Sequence, residues 1–303
     1  MSKIHLIDVV LPTRNRMVEV LTTIEKIKMI GLKDNQIFIG DDFSAPSLST
    51  AIREKFPNVT IIKNATQKGQ LYTRNILFKR TNRKYLLSID DDSHIASNEA
   101  LEEAIDILEK NEQVGIFGFR AFQQINAPPP RYGLDQKRYE VRTFIACGAL
   151  IKRECINKIG NYTREELGYY CEEIDCSIRA FKQGYKVITK NDLVVHHRVD
   201  RNYKRMPKET DESKGIYGTE WRSVMGFSDN LIVTLIYFPY GFDFIFFWLY
   251  VLKRFFLFTV RYSDYPAFFK GLYRTFRFIP YIVREKDPMS YSKFIQWIRL
   301  PMM

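Results

Sequence analysis

Four cysteines in 303 residues, Cys147, Cys155, Cys171 and Cys176, are too few for a disulfide scaffold, and their gaps match no zinc spacing. They read as reduced core residues of a cytosolic protein. Glycine is missing where a dinucleotide fold needs it: the segment closing the first apolar run is Leu11-Pro-Thr-Arg-Asn-Arg16. A Walker loop is absent too, which disfavours a P-loop NTPase, and the lack of a glycine-rich basic loop near the start disfavours a nucleotidyltransferase. No RNP, KH or zinc-finger pattern accompanies the basic residues, so nucleic acid is not an expected partner. The apolar stretch before Pro12 and Arg14 is too short for a signal-peptide core. Without export, the N-x-T triplets at Asn58, Asn64 and Asn161 are chance matches. An uninterrupted membrane span is also missing: Leu231 to Leu252 has the length, but Pro239, Gly241 and Asp243 sit at its centre. That stretch reads as two short apolar helices that dip into a bilayer interface or pack together.

What is present is unevenly distributed. Of the formal +11, residues 1–252 carry 36 basic and 32 acidic side chains, whereas residues 253–303 carry 10 and 3, a local +7. The aromatics divide the same way, since 23 of the 44 fall between Tyr237 and Trp297. A basic, aromatic tail fits an anionic lipid surface better than naked nucleic acid. An ordinary buried helical subdomain is the competing reading.

The first hundred residues alternate strand and helix patterns. Ile7 to Leu11, Ile37 to Ile39, Val59 to Ile62 and Tyr85 to Ile89 are short apolar runs. Between them Val20, Ile24 and Ile27 repeat at helical spacing until Gly31, and a second helix-like stretch begins at Leu71. Such alternation predicts an α/β, Rossmann-like, mainly parallel sheet covered on both faces. Ligands then bind beyond the carboxyl ends of the strands. Pro12 to Asn15, Asp41 with Asp42, and Asp90 to Asp92 all fall at those ends. Further on come a loop Ala127 to Arg131, an acidic helix from Glu172 to Lys182 ended by Gly184, two strands at Tyr185 to Ile188 and Leu193 to Val195, and a polar stretch Arg198 to Lys214.

Three adjacent carboxylates in a crevice repel one another unless a cation or protons relieve them. Oxygen donors suit Mg2+ or Mn2+, completed by phosphate oxygens of a substrate. On an extended segment Asp90 and Asp92 share a face while Asp91 turns away. On the acidic helix Glu172 and Asp175 are i, i+3 neighbours and Glu173 projects elsewhere.

The ordered set V-V-L-P-T-R-N-R (9–16), I-G-D-D-F-S (39–44), G-Q-L-Y-T-R-N (69–75), L-L-S-I-D-D-D-S (86–93), C-G-A-L-I-K-R (147–153) and E-E-I-D-C-S-I-R (172–179) resembles family 2 glycosyltransferases of GT-A fold. The resemblance runs through about two thirds of the chain. It implies that Pro12 and Thr13, with Arg14 and Asn15 beside them, border a nucleotide sugar of UDP, dTDP or GDP type. Asp41 or Asp42 would accept a hydrogen bond from the base, and Arg74 would approach the diphosphate. Asp90-x-Asp92 would be the D-x-D metal motif for Mn2+ or Mg2+, with Asp91 among the donor-binding residues. Glu173 stands where the family has its acceptor-activating base, with Glu172 and Asp175 as alternates. In rhamnosyl- and galactofuranosyltransferase-like branches a histidine near His196 and His197 helps hold the metal or diphosphate, and the spacing favours His197.

A carboxylate base opposite the leaving group gives direct displacement and inversion at the anomeric carbon. Farther along, Lys270, Arg274 and Arg277 fall on one helical face with Phe269, Leu272, Tyr273, Phe276 and Ile279 on the other, an in-plane amphipathic pattern. The expected organisation is a GT-A catalytic domain at 1–200, a linker at 201–228, and a helical membrane-association region at 229–303 through which the chain could self-associate. The expected role is a metal-dependent, inverting transfer of a sugar to a lipid-linked or polysaccharide acceptor, at the cytoplasmic face of the membrane. The rival is a membrane-docking scaffold with an inactive domain.

Overall fold

In the computed structural model the residues described are 2–124, 126, 136–168, 171–198, 219–258 and 265–303. The loop expected at Ala127 to Arg131 and residues 199–214 of the polar stretch lie outside them.

Strand β1 (Ile7–Thr13) is buried along its whole length, as a central strand covered on both faces must be. Its side chains alternate between two cores. Ile7, Val9 and Leu11 join Ile24 and Ile27 of α1 (Met17–Met29), whereas Val10 joins Leu77 and Phe78 of α3 (Gln70–Arg80) on the other face. Strands β2 (Ile37–Asp41), β3 (Thr60–Lys63) and β4 (Tyr85–Ile89) complete a parallel half, in which β2 and β4 flank β1 and β3 pairs with β2. The chain therefore steps outward from β1 to β3, then returns to β4 on the opposite side of β1. That reversal opens a crevice between the carboxyl ends of β1 and β4.

The second half departs from the mainly parallel expectation. Strand β8 (Gly148–Lys152) runs antiparallel to β4 and to β6 (Val114–Gln123), and both β5 (Ser93–Ile95) and β7 (Arg138–Val141) run antiparallel to β9 (Lys186–His197). The nine strands form one mixed sheet, β3-β2-β1-β4-β8-β6-β9-β5, with β7 paired to β9. Among the described strands of this half, β6 and β9 alone are parallel, because helical crossovers no longer separate every pair of strands. The two strands expected at Tyr185 to Ile188 and Leu193 to Val195 are one strand. Its register against β6 jumps from Phe119↔Lys190 to Arg120↔Val194, so Asn191 to Leu193 form a bulge without ending it.

Helices α2 (Ser49–Lys55), α4 (Asn98–Lys110), α5 (Arg153–Ile159) and α6 (Glu172–Lys182) cover the sheet. Helix α4 begins where the Ser97 side chain accepts the Ala100 N–H, and it buries Leu101, Ile105 and Leu108 against the first core. After β9 come α7 (Thr219–Tyr237), α8 (Phe242–Phe256), α9 (Tyr265–Arg277), α10 (Ile279–Glu285) and α11 (Tyr291–Arg299). Pro239 and Gly241, the latter at φ +87°, separate α7 from α8, so the apolar stretch breaks into two helices there. Helix α7 already begins at Thr219, so residues 219–228 are helical rather than linker. Val224 and Phe227 on that part are core residues packed among α8 and α9. A further core joins Ile178 of α6 and Ile232, Ile236 and Tyr237 of α7 to Phe294 and Trp297 of α11. All four cysteines are free and buried.

Candidate active site

The site forms at the reversal between β1 and β4. Strand β4 ends at Ile89 and delivers Asp90, Asp91 and Asp92 to the crevice. Strand β5 then pairs antiparallel with the end of β9, and its register sets Ser93 opposite His197. This pairing carries His197 to Asp92 across more than a hundred residues of sequence, with His197 Nε2 3.0 Å from Asp92 Oδ1. One donor atom each from Asp90, Asp92 and His197 lies within 4.8 Å of the others. Asp92 holds its carboxyl well below the usual range: burial opposes ionisation, but His197 and Arg16 outweigh it. His197 is raised in turn, burial being overcome by Asp92.

His196 points the other way along the strand. Its Nε2 lies 2.6 Å from the Gln124 carbonyl and its ring packs edge-on against His94 at 5.1 Å. Burial lowers its pKa, and it is not part of the carboxylate cluster.

Asp91 turns inward within a tight turn, closed by the Ser93 N–H on the Asp90 carbonyl at 3.1 Å, rather than by alternation along the extended segment expected. It accepts from Thr13 Oγ1 at 2.7 Å and from Arg16 Nη1 at 2.6 Å, while Arg16 Nη2 reaches Asp92 Oδ2 at 2.8 Å. Burial pushes Asp91 up to about 7, with Arg16 opposing and Asp92 adding to the rise. Asp90 is the open member. It accepts from Gln70 Nε2 at 2.9 Å and from Arg74 Nη2 at 2.6 Å, two side chains one turn apart on α3. Arg74 itself is fully buried, bonded to Ser88 and stacked 5.7 Å from the Tyr162 ring. It orients Asp90 from behind rather than facing the crevice.

The paired aspartates of β2 separate in the same way. Asp42 is filled: Oδ1 accepts from Asn64 Nδ2 and the Lys68 N–H, and Oδ2 from the Gly69 N–H. It shapes the turn that starts α3. Asp41 accepts the Ser44 N–H through Oδ1, while its buried Oδ2 has no hydrogen-bond partner among the described residues. Gly40 lets α3 come this close, since a Cβ there would lie 2.3 Å from Thr73 Cγ2. Pro12 is buried at the end of β1 beside Thr13, and Arg14 is half-buried. Asn15, at φ +54°, gives its N–H to Ser44 Oγ and accepts the Ala45 N–H, tying the β1 and β2 ends together.

The start of α6 is linked to this cluster through one residue, Ala146. Arg74 Nη1 reaches the Ala146 carbonyl at 3.5 Å, and the Ala146 N–H reaches Glu173 Oε1 at 3.2 Å. Burial raises Glu173, with the Ala146 N–H and Arg74 opposing. Glu172 is buried, its Oε2 has no hydrogen-bond partner among the described residues, and burial plus repulsion from Glu173 lift it well above the carboxylate range. Asp175 is different. Its carboxylate is fully enclosed, accepting from Arg164 Nε at 3.2 Å, Arg179 Nη2 at 2.6 Å and Tyr237 Oη at 2.5 Å. It clamps α6 to α7 and has no free oxygen with which to act as a base.

Sequence reasoning overlooked Arg16 and Gln70 as site residues. Gln70 could have been found from its four-residue spacing to Arg74, but Arg16 needed the tertiary fold.

The mixed sheet and this crevice define an α/β, GT-A-like glycosyltransferase fold. The model of the family described as "Glycosyl transferase family 2" matches residues 8–160, half of the chain, and the chain belongs to that family. An uncharacterized glycosyltransferase of Haemophilus influenzae is 27% identical over 109 residues, which are 36% of this chain and 36% of that relative's length. Among solved structures, S. aureus TarS 1–349 in complex with UDP-GlcNAc aligns with a TM-score of 0.61 at 14% identity, covering 88% of this chain and 79% of that one. The mannosyltransferase PcManGT from Pyrobaculum calidifontis, in complex with GDP-Man and Mn2+, aligns with a TM-score of 0.52 at 16% identity, covering 89% and 86%. At these identities the likeness speaks for the fold alone.

Proposed function

We propose that the protein is a metal-dependent, inverting glycosyltransferase that moves a sugar from a nucleoside diphosphate donor to an acceptor hydroxyl. The observation that carries this reading is the convergence of Asp90, Asp92 and His197 within 4.8 Å at the end of β4. Two hard carboxylate oxygens and one imidazole nitrogen fit Mn2+ or Mg2+ better than a soft-metal site. Asp90, Asp92 and His197 would hold that ion, whose Lewis acidity supplies charge neutralisation to a leaving diphosphate.

The chain's own residues account for the rest. Asp41, whose buried Oδ2 has no hydrogen-bond partner among the described residues, would accept an N–H of the base, while Asp42 holds the turn into α3. Thr13 and Arg16 fix Asp91, and Gln70 and Arg74 fix Asp90, so the carboxylates are oriented before donor arrives. Glu173 is the base that takes the acceptor proton, since burial raises its affinity for a proton in the catalytic direction. Glu172, sharing the same buried helix start, is pushed further toward its protonated form by burial and by repulsion from Glu173. Displacement on the face opposite the diphosphate inverts the anomeric carbon.

The acceptor we propose is lipid-linked or a polysaccharide, met at the cytoplasmic face of the membrane, and the aromatic basic helices support that location. Incubation with UDP-, dTDP- and GDP-sugars, Mn2+ and a lipid-linked acceptor should release NDP and give product of inverted configuration by NMR. Release of pyrophosphate, or retained configuration, would contradict the reading.

A further inference from the structure

Helix α9 is inside out by the standards of a helix on a soluble domain. The side it packs against α7 carries Ala267, Gly271 and Thr275, so close that a Cβ on Gly271 would lie 2.7 Å from the Phe227 ring. The side it presents outward carries Phe269, Tyr273 and Phe276, each 50% exposed or more. Helix α8 repeats the arrangement. Phe247 and Val251 are buried in the helical core, while Phe244, Trp248, Leu252 and Phe256 follow one another at four-residue spacing and are 46–64% exposed. The two helices meet at buried Phe268, whose ring lies 5.4 Å from that of half-exposed Phe255 on α8 and 5.3 Å from that of exposed Phe269 on α9. Exposed aromatic stripes of this kind mark an interaction surface.

We infer that this face of α8 and α9 docks in plane on an anionic lipid surface. The inference rests on the proposed membrane location and names the surface responsible. Charge selects the occupant. Helix α9 contains no acidic residue, and the one acid of α8, Asp243, is bound by Lys286. Lys253 and Arg277 are exposed beside the aromatics and have no ion-pair partner among the described residues. Cations bordering an aromatic face complement anionic headgroups above an acyl layer. Two copies of the same basic face would instead repel. A spanning mode does not compete, because among the described residues no helix is long and apolar enough to cross a membrane.

The inner edge of α9 links this face to the active site. Arg274 Nη1 pairs with buried Asp229 at 2.6 Å and Arg274 Nη2 bonds the Glu166 carbonyl, while Asp229 Oδ2 accepts the Gly168 N–H at 2.7 Å. Glu166 and Gly168 lie in the segment leading to α6. Docking on lipid would hold the start of α6 at a fixed height above the surface.

The test is flotation of the full chain with vesicles of phosphatidylcholine alone or with 30 mol% phosphatidylglycerol (about a physiological anionic fraction), without donor. Binding is expected to the anionic vesicles and to weaken with salt. The double substitution Lys253→Gln with Arg277→Gln should lower the partition coefficient roughly 30-fold, and Trp248→Ser with Phe269→Ser at least tenfold. Thermal shifts by UDP and GDP with Mn2+ are measured in parallel on the same proteins. Unchanged nucleotide shifts with lost flotation support the inference. Failure of nucleotide binding with intact flotation overturns the proposed catalysis and leaves the docking face supported. No flotation of the wild type, equal binding to neutral vesicles, or a dimer that Trp248→Ser dissociates would overturn the inference.

Discussion

Asp175→Asn separates a structural carboxylate from a catalytic one. In the wild type the Asp175 side chain is fully buried and receives Arg164 Nε at 3.2 Å, Arg179 Nε at 3.0 Å and Nη2 at 2.6 Å, and Tyr237 Oη at 2.5 Å. Both guanidiniums are themselves largely buried, with 16% and 11% of their side chains exposed. Arg164 retains Glu285 at 2.6 Å, whereas the other hydrogen bonds of Arg179 go to the carbonyls of Ile159, Asn161 and Tyr162. Asparagine keeps the shape but removes the charge and turns an N–H2 toward one of the donors. Breaking a buried pair by deleting one partner costs about 3–5 kcal/mol, and the Glu285 contact places this case toward the lower end, at about 3 kcal/mol. The assay is equilibrium urea unfolding at pH 7 beside steady-state transfer at a temperature where the variant remains folded. The expected result is a lower midpoint with turnover reduced less than tenfold. Turnover lost by a factor of a thousand with an unchanged midpoint would refute the argument, because Asp175 would then be acting in the chemistry.

The remaining predictions concern the other groups of the site. Burial raises Glu173 above the ordinary glutamate value of 4.5, and the base must be ionised, so the acid limb of kcat/KM should fall above pH 4.5. Because Glu172 is raised on folding, its contribution to stability is full below the unfolded pKa and is lost as pH rises through the folded one. Wild-type stability relative to Glu172→Gln should therefore decline from mildly acidic to alkaline pH in denaturant titrations, and a difference that grows in the opposite direction would contradict the assigned burial. His197→Ala should raise the Mn2+ concentration for half-maximal activity roughly 10–100-fold, whereas His196→Ala should leave it unchanged and lower stability by about 1–3 kcal/mol.

The parallel half of the fold was legible because its periods are plain. Ile7 to Leu11 and Tyr85 to Ile89 are apolar runs of strand length, and Val20, Ile24 and Ile27 mark one helical face, so β1, β4 and α1 fall where the pattern puts them. The antiparallel half was not, because strand direction depends on connections that leave no local signal; Gly148 to Lys152 looks the same in either direction. The register shift at Asn191 to Leu193 concealed the continuity of β9 for a similar reason, since the polar pair Asn191-Asp192 between two apolar runs reads as a turn. In the site, residue types and order pointed to the carboxylates, but roles depended on which oxygens were already occupied. Asp41 and Asp42 are indistinguishable in sequence, and only the Asn64, Lys68 and Gly69 contacts separate them. Asp175 shows the same limit, since its clamp comes from Arg164 and from Tyr237 of a helix far along the chain. On α9 the aromatics fall on the outward face as the amphipathic pattern suggested, but Arg274, grouped with the exposed cations, turns inward to Asp229.

The central claim is that Asp90, Asp92 and His197 hold a divalent ion that donor binding requires. Calorimetric titration of UDP- and GDP-sugars into wild type and Asp92→Asn, each with Mn2+ and with EDTA, tests it most directly. The account predicts that the wild type binds one donor class tightly with Mn2+ and at least tenfold more weakly with EDTA, and that Asp92→Asn binds weakly in both. Equal donor affinity with and without metal, unchanged by Asp92→Asn, would contradict it.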